Sequence, residues 1–481
     1  MDGIGGRARS APEEAALIAP GGSVTFGELD TRQRALVGAL HDEGLTSGDR
    51  IAIFSSNRIE SLEVSIGALR AGIVPVPVNP LLTSSEVNYL LSDSGARVLF
   101  SDRTVDTQPV LERVVTFGDA YERYLHEAAP AELNDVALTR PMHYTSGTTG
   151  TPTGVWVKPH DPEKALHLSR AFRELWEIDE TDLHLVCSPL AHSAPHRFAM
   201  RTLEAGGRVV LQGKFSPEET LATTELFGVT STFMVPTHLE RIFSLGRRAL
   251  GRHDLSTMRL LAHAGAPIRD ATKRTALEVF PEGSVWEFYG STEGQATRIS
   301  ASEWLERPGS VGRALSGGEV VIADPDGNEL PAGEVGWVWV RDPAAERWEY
   351  WGDRSKTRTA WSNDAFCVGD LGSLDDNGYL YLAGRGDDTI ITGGVNVYPL
   401  EVENVLVTHP SVSEALVYGV THEEWGQEGR ALVVPAPNQP LDGEMLRAWA
   451  RERLAGFKCP HLIEIVDDLP RTPTGKVHRR Q

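Results

Sequence analysis

Residues 144–154 read YTSGTTGTPTG. Three glycines, one serine and five threonines in eleven residues offer neither the apolar stripe of a helix nor the alternation of a strand. The run is therefore a loop dense in backbone N–H groups and hydroxyls. Glycine lacks the Cβ that would hold the backbone away from a phosphate, and Ser146, Thr148, Thr149 and Thr151 add rotatable donors, so the loop suits anionic oxygens. The G-x-x-x-x-G-K-[ST] spacing of a Walker loop is absent, and so is any lysine within the run.

Outward from this loop, strand and helix patterns alternate. On the N-terminal side, Thr25 with Glu28 and Thr83 with Glu86 form capping boxes. The first precedes Leu29, Leu36 and Leu40; the second precedes Val87, Leu90 and Leu91. RIAIFSSN at 50, IVPVPVNP at 73 and ARVLFSD at 96 read as strands, and Gly72 ends the helix carrying Leu62, Ile66 and Leu69. On the C-terminal side the strands are LHLVCSP at 183, GRVVLQG at 207, VTSTFMVP at 229, MRLLAHAG at 258 and SVWEFYG at 284. Helices start at Ser216 with Glu219, near His238 and near Arg269. This alternation predicts parallel sheets covered by helices, with ligands beyond the carboxyl ends of the strands. His192, Pro236–Thr237, His263–Pro267 and Tyr289–Glu293 would ring that crevice. From about 315 to 383 short β runs with turn chemistry predict an antiparallel unit. From Gly384 a polar, glycine-rich stretch leads into a small α+β module.

A chain of 481 residues exceeds the size at which one core keeps growing, so several domains are expected. The net charge of −21 disfavours nucleic acid and anionic membrane surfaces as partners. With no apolar leader-like segment and no long apolar run, a soluble cytoplasmic protein is expected. Cys187, Cys367 and Cys459 lie far apart without a C-x-x-C pair, which predicts small buried hydrophobes rather than disulfides or a zinc site.

YTSGTTGTPTG at 144, YGSTEG at 289, GDLG at 369, GRGDDTIITGGVNVYP at 384 and PRTPTGK at 470 resemble, in this order, the core motifs of the adenylate-forming superfamily of acyl-CoA synthetases, adenylation domains and luciferases. PLAHSAP at 189 and PGSVGRA at 308 are most similar to bacterial fatty-acyl and aryl CoA ligases. The resemblance implies an α/β fold: a large N-terminal domain, residues 1–383, of βαβ layered sheets with a β-barrel-like subdomain, and a small mobile α+β C-terminal domain, 384–481. It implies ATP-dependent conversion of an acid to its acyl-adenylate and transfer to CoA or a carrier-protein thiol, with Mg²⁺ held by Glu293 and Thr145. Phosphates would lie against Thr145, Ser146, Gly147, Thr148, Thr149 and Gly150, with Thr292 on the α-phosphate. Adenine would rest on Tyr289 and Gly290 and the backbone of Gly265, Ala266 and Pro267, and the ribose on Asp370 and Arg385. Lys476 would reach the crevice during adenylation, His192 would close the acid site, and Asp387 would be the hinge. Gly393, Gly394 and Asn396 would line the thiol tunnel.

Two features depart from the family pattern. Thr153 stands where the family usually carries a phosphate-gripping lysine, and Lys158 is a candidate replacement. PLAHSAPHRFA lacks the aspartate that meets an α-ammonium, which disfavours amino acids. His196 and Arg197 are either surface residues at a helix start or crevice residues, the latter implying a polar, aromatic or second anionic group on the substrate. Two other functions are compatible with these residues: a diazotase that activates nitrous acid with ATP for attack by an aromatic amine, and a non-catalytic adenylate-binding protein.

Overall fold

The computed structural model describes residues 3–108, 111–133, 137–145, 152–158, 162–341, 347–437, 439–471, 477 and 479. Two compact units result: Met1–Gly309 with Ala344–Thr359, and Ser310–Pro343 with Ala360–Gln481.

In the first unit both capping boxes form. Thr25 and Glu28 satisfy each other's N-terminal donors at the helix Phe26–Asp42, and Thr83 with Glu86 do so at Ser84–Ser94. The first helix turns Leu29, Leu36 and Leu40 fully inward, each burial contributing about 1.5–3 kcal/mol. Gly72, at φ +73°, follows the helix Ile59–Arg70 and redirects the chain into the strand Val74–Val78. That strand, Arg50–Phe54, Val98–Ser101 and Arg113–Thr116 form an all-parallel sheet. Val74–Val78, Arg50–Phe54 and Val98–Ser101 are almost continuously buried, as strands covered on both faces must be, while the edge strand Arg113–Thr116 is partly exposed.

A second, larger sheet carries the crevice-forming strands. Ala15–Ala19, Arg208–Leu211, Leu183–Val186, Ser231–Met234, Leu260–His263 and Val285–Gly290 run parallel in this spatial order, and Gln295–Ser300 returns antiparallel. Loops after the last parallel strands therefore open on one edge. A third, antiparallel sheet joins His143–Thr145, Thr153–Val157 and Trp348–Tyr350, bringing two segments nearly 200 residues apart side by side.

The second unit contains the antiparallel sheet expected between 315 and 383. Glu319–Ala323, Gly336–Arg341, Ala365–Leu374 and Trp361–Ser362 are neighbours in order, and Leu380–Arg385 pairs with Ala365–Leu374. The α+β module follows, with the long hairpin Val412–His422 and Gly426–Pro435 packed on the helix Pro399–Leu406. Its GRGDDTIITGG stretch is more ordered than a bare hinge: it includes the strand Ile390–Thr392, paired with Val395–Val397. Cys187 and Cys459 are buried and Cys367 is half-buried, all unpaired. Among the described residues no helix is long and apolar enough to cross a membrane.

Candidate active site

The described part of the glycine- and threonine-rich run is its stem. Tyr144 pairs with Gly154 and Thr145 with Thr153, and the Thr145 hydroxyl donates to the Thr153 carbonyl at 3.5 Å. Tyr144 anchors this hairpin by donating its phenol to Asp93 Oδ2 at 2.6 Å; burial, then this carboxylate, pushes the phenol pKa up. Ser146, Gly147, Thr148, Thr149 and Gly150, like Lys476, lie outside the described residues.

YGSTEG forms a tight turn between Val285–Gly290 and Gln295–Ser300, closed by the Ser291 N–H on the Gly294 carbonyl at 2.8 Å. A Cβ on Gly290 would stand 2.7 Å from the Gly294 carbonyl oxygen, so only glycine fits. Arg140 clamps the turn from below, donating to the backbone carbonyls of Thr292 and Glu293. The Ser193 hydroxyl reaches Thr292 Oγ1 at 3.5 Å, which ties the turn to the helix Ser193–Glu204 that His192 caps. Glu293 is buried, 6% exposed, and Tyr350 donates its O–H to Glu293 Oε1 at 2.9 Å. Among the described residues Glu293 Oε2 has no protein partner.

A buried carboxylate that meets one neutral donor and, among the described residues, has no ion-pair partner is costly unless a cation arrives. The donor set therefore fits Mg²⁺, which takes oxygen ligands and is commonly held by one or two carboxylates together with substrate phosphates.

Gly265, Ala266 and Pro267 are exposed beyond the carboxyl end of Leu260–His263, with Gly265 at φ +91°. Tyr289 ends the neighbouring parallel strand, so an open backbone edge and an aromatic ring share one side of the sheet.

The histidines behave differently from their expected crevice role. His263 is fully buried, its Nε2 2.8 Å from Lys273 Nζ, which donates to Glu287 Oε2 at 2.8 Å. Burial, then Lys273, holds His263 well below its usual pKa. His196 is neither a surface residue nor an open crevice residue: it is buried, with Nε2 2.7 Å from Ser65 Oγ, and burial followed by Arg197 lowers its pKa to about 4. Beside it lies a cavity of about 20 Å³ lined by Ser55, Ser61, Ser65 and Leu190, the room of one water. Arg197 is half-buried, over the Phe172 ring at 5.9 Å. His238 stacks on Phe215 at 4.0 Å, its Nδ1 3.3 Å from Ser188 Oγ. Asn57 bonds the backbone of Ser188, Leu190 and Gln212, fixing the PLAHS segment.

In the second unit Asp370 lies opposite Arg385 in register, and Arg385 Nη1 donates to Asp370 Oδ1 at 3.0 Å and to the Val368 carbonyl at 2.9 Å. Asp387 sits in a 3₁₀ turn, Gly386–Asp388, and Gly386 packs so tightly on Trp337 that a Cβ would overlap the ring at 2.0 Å. Gly393 and Gly394, at φ +56° and +81°, form the two-residue turn of the hairpin bearing Asn396, a geometry that favours glycine. The C-terminal tail is tied on both sides of 472–476: Arg471 to Glu414 and Asp468, Arg479 to Glu403 and Asp388.

The AMP-binding enzyme family model matches residues 6–348, and the model of the AMP-binding enzyme C-terminal domain matches 401–476. The chain belongs to the AMP-binding enzyme family. A fatty acid–[acyl-carrier-protein] ligase, ScoC of Streptomyces coeruleorubidus, is 33% identical across 98% of this chain and 94% of that protein. A feruloyl-CoA synthase of an Amycolatopsis species is 34% identical across 98% and 96%. The solved o-succinylbenzoate CoA synthetase of Bacillus subtilis, in complex with its acyl-adenylate intermediate, superposes with a TM-score of 0.86 at 29% identity, covering 99% of this chain and 96% of that one. As a member of the AMP-binding enzyme family this chain is an AMP-forming ligase: it adenylates an acid with ATP and passes the acyl group to a thiol.

Sequence reasoning did not single out Arg140, Tyr350, Ser193 or Lys356. Arg140 comes from a segment with no motif of its own, whereas Ser193 lies within PLAHSAP beside the His192 that was singled out. The RWEYWGDRSKT stretch, a short strand with a tyrosine followed by a turn and a helix, was the one legible signal for Tyr350.

Proposed function

We propose that this enzyme activates a carboxylic acid of fatty or aryl type with a single anionic group, and that CoA or a carrier-protein thiol accepts the acyl group. Buried Glu293, with one oxygen held by Tyr350 and the other without a protein partner, carries the reading. Internal bonding of His196, His238 and His263 supports a monoanionic substrate, since the lowered pKa values of all three keep them neutral near pH 7.

In the first step a carboxylate oxygen attacks the α-phosphorus, the bond to the bridging oxygen breaks, and pyrophosphate leaves with that electron pair. Mg²⁺, when bound, would neutralise phosphate charge. Glu293 and Thr145 would hold it; Thr292, positioned by Ser193 and Arg140, would donate to the α-phosphate as charge builds there. Tyr289 and Gly290 and the backbone of Gly265–Pro267 would hold adenine, with Asp370 and Arg385 on the ribose. Ser146, Gly147, Thr148, Thr149 and Gly150 would donate to the phosphates, Lys476 would bridge acid and nucleotide, and His192 would close the acid site. In the second step the thiolate attacks the acyl carbonyl, the carbonyl–phosphate bond breaks, and AMP leaves. Gly393, Gly394 and Asn396 would guide the thiol after residues 384–481 turn about Asp387.

The test is AMP release from ATP and Mg²⁺ across fatty, benzoic and hydroxycinnamic acids, each with CoA or a phosphopantetheinyl carrier, beside a nitrite plus arylamine arm. Thioester formation with a fatty or aryl acid is expected. Release driven only by a dicarboxylic acid, or only by nitrite with the amine, would overturn the substrate assignment.

A further inference from the structure

The run 144–154 carries no lysine or arginine, so a loop made for anionic oxygens brings no cation of its own. Lys158 does not supply one at the stem. It follows the strand Thr153–Val157 and is exposed, and at about 3.3 Å per residue it lies roughly 16 Å along the strand from Thr153.

A lysine distant in sequence reaches the stem instead. Trp348–Tyr350 pairs with Thr153–Val157. The Trp351 N–H then binds the Gly154 carbonyl at 2.8 Å and the chain turns into the helix Arg354–Ala360. There Lys356 is fixed at its backbone, N–H to Asp353 Oδ1 at 2.8 Å. Its Nζ donates to Thr153 Oγ1 at 3.2 Å and stands 4.2 Å from the centre of the Tyr350 ring. That ring's hydroxyl is the one on Glu293. Among the described residues Lys356 is half-buried and has no carboxylate partner.

We propose that Lys356 binds the outer phosphates of ATP, acting as the cation that position 153 lacks. An ammonium that is half-buried and, among the described residues, meets a hydroxyl and a ring face but no carboxylate lacks a direct counter-charge there, and a polyphosphate supplies one. Thr153 and Tyr350 orient it: the hydroxyl takes one N–H, the ring flanks it, and the remaining donors are left for anionic oxygens. The same tyrosine thereby places this cation and the proposed Mg²⁺ ligand on its two ends. This inference rests on the adenylation reading for its setting.

The experiment compares ATP with AMP. Calorimetric binding of each nucleotide is measured for the wild type, Lys356→Met, Lys356→Gln and the double variant Thr153→Lys/Lys356→Met. Loss of a charged hydrogen bond to phosphate is expected to weaken ATP binding about 10- to 100-fold, with AMP binding changed less than about twofold. The KM for ATP should rise in the same proportion while that for the acid stays constant, and the double variant should recover most of the loss. Equal weakening of ATP and AMP, or wild-type ATP binding in both single variants, would overturn the proposal. The binding comparison needs no acid, so a failure to find any activating acid would strike the proposed function alone.

Discussion

Replacing Tyr350 by phenylalanine removes one oxygen and leaves the ring on which Lys356 rests. The 2.9 Å hydrogen bond to Glu293 is lost, and no other side-chain donor among the described residues replaces it. A hydrogen bond to a charged group contributes about 1.5–3 kcal/mol, and loss of the partner that orients a metal-ligating carboxylate typically costs about 10- to 100-fold in metal affinity. The assay is acid-dependent AMP release as a function of Mg²⁺ concentration. Half-saturation for Mg²⁺ should move upward about 10- to 100-fold while the KM for the acid holds, and the melting temperature should fall, since a buried oxygen loses its donor. An unchanged Mg²⁺ curve in a folded Tyr350→Phe protein would refute the link between this hydroxyl and the proposed Mg²⁺ site.

Three further outcomes follow from packing and protonation. Lys273→Met leaves Glu287 buried beside His263 without a cation and should destabilise the first unit by about 3–5 kcal/mol in urea unfolding; a loss below about 1 kcal/mol would show the pair to be dispensable. Gly386→Ala drives a Cβ into Trp337 and should cost about 1–3 kcal/mol, recovered when Trp337→Leu is added; no recovery would locate the strain elsewhere. His184 and His196 are buried neutral, with pKa values lowered by burial to about 3 and about 4. Between those values and the unfolded value near 6.5 the unfolded chain binds more protons, so stability falls on acidification from pH 6.5 toward 4. The slope should approach about 1.4 kcal/mol per pH unit for each histidine, and His196→Gln should flatten it; a urea midpoint constant from pH 7 to 5 would contradict the burial argument.

Much of the scaffold was legible because its signals are local. The capping boxes at Thr25 and Thr83 need only residues three positions apart, and the alternation of apolar runs prescribes parallel strands wherever it occurs. Tyr289–Glu293 could be placed at a strand's carboxyl end for the same reason. What could not be read depends on long-range pairing. Arg140 meets Glu293 across 153 residues, Tyr350 meets it across 57, and Lys356 meets Thr153 across 203. No periodicity encodes such distances. His263 shows the complementary limit: its segment was placed at the crevice, yet its side chain points into the buried charge cluster with Lys273, because strand position does not say which face a residue takes. The sequence leaves His196 between surface and crevice, and the helix Ser193–Glu204 instead turns it into the interior against Ser65.

Adenylation at Glu293 is read most directly by acid-dependent exchange of radiolabelled pyrophosphate into ATP, run with wild type and Glu293→Gln. Exchange that requires both Mg²⁺ and a fatty or aryl acid, and that falls at least about 100-fold in Glu293→Gln, is the predicted result. Exchange that persists in Glu293→Gln at the wild-type rate would contradict the assigned site, and nucleotide binding without exchange across every acid would contradict the activity itself.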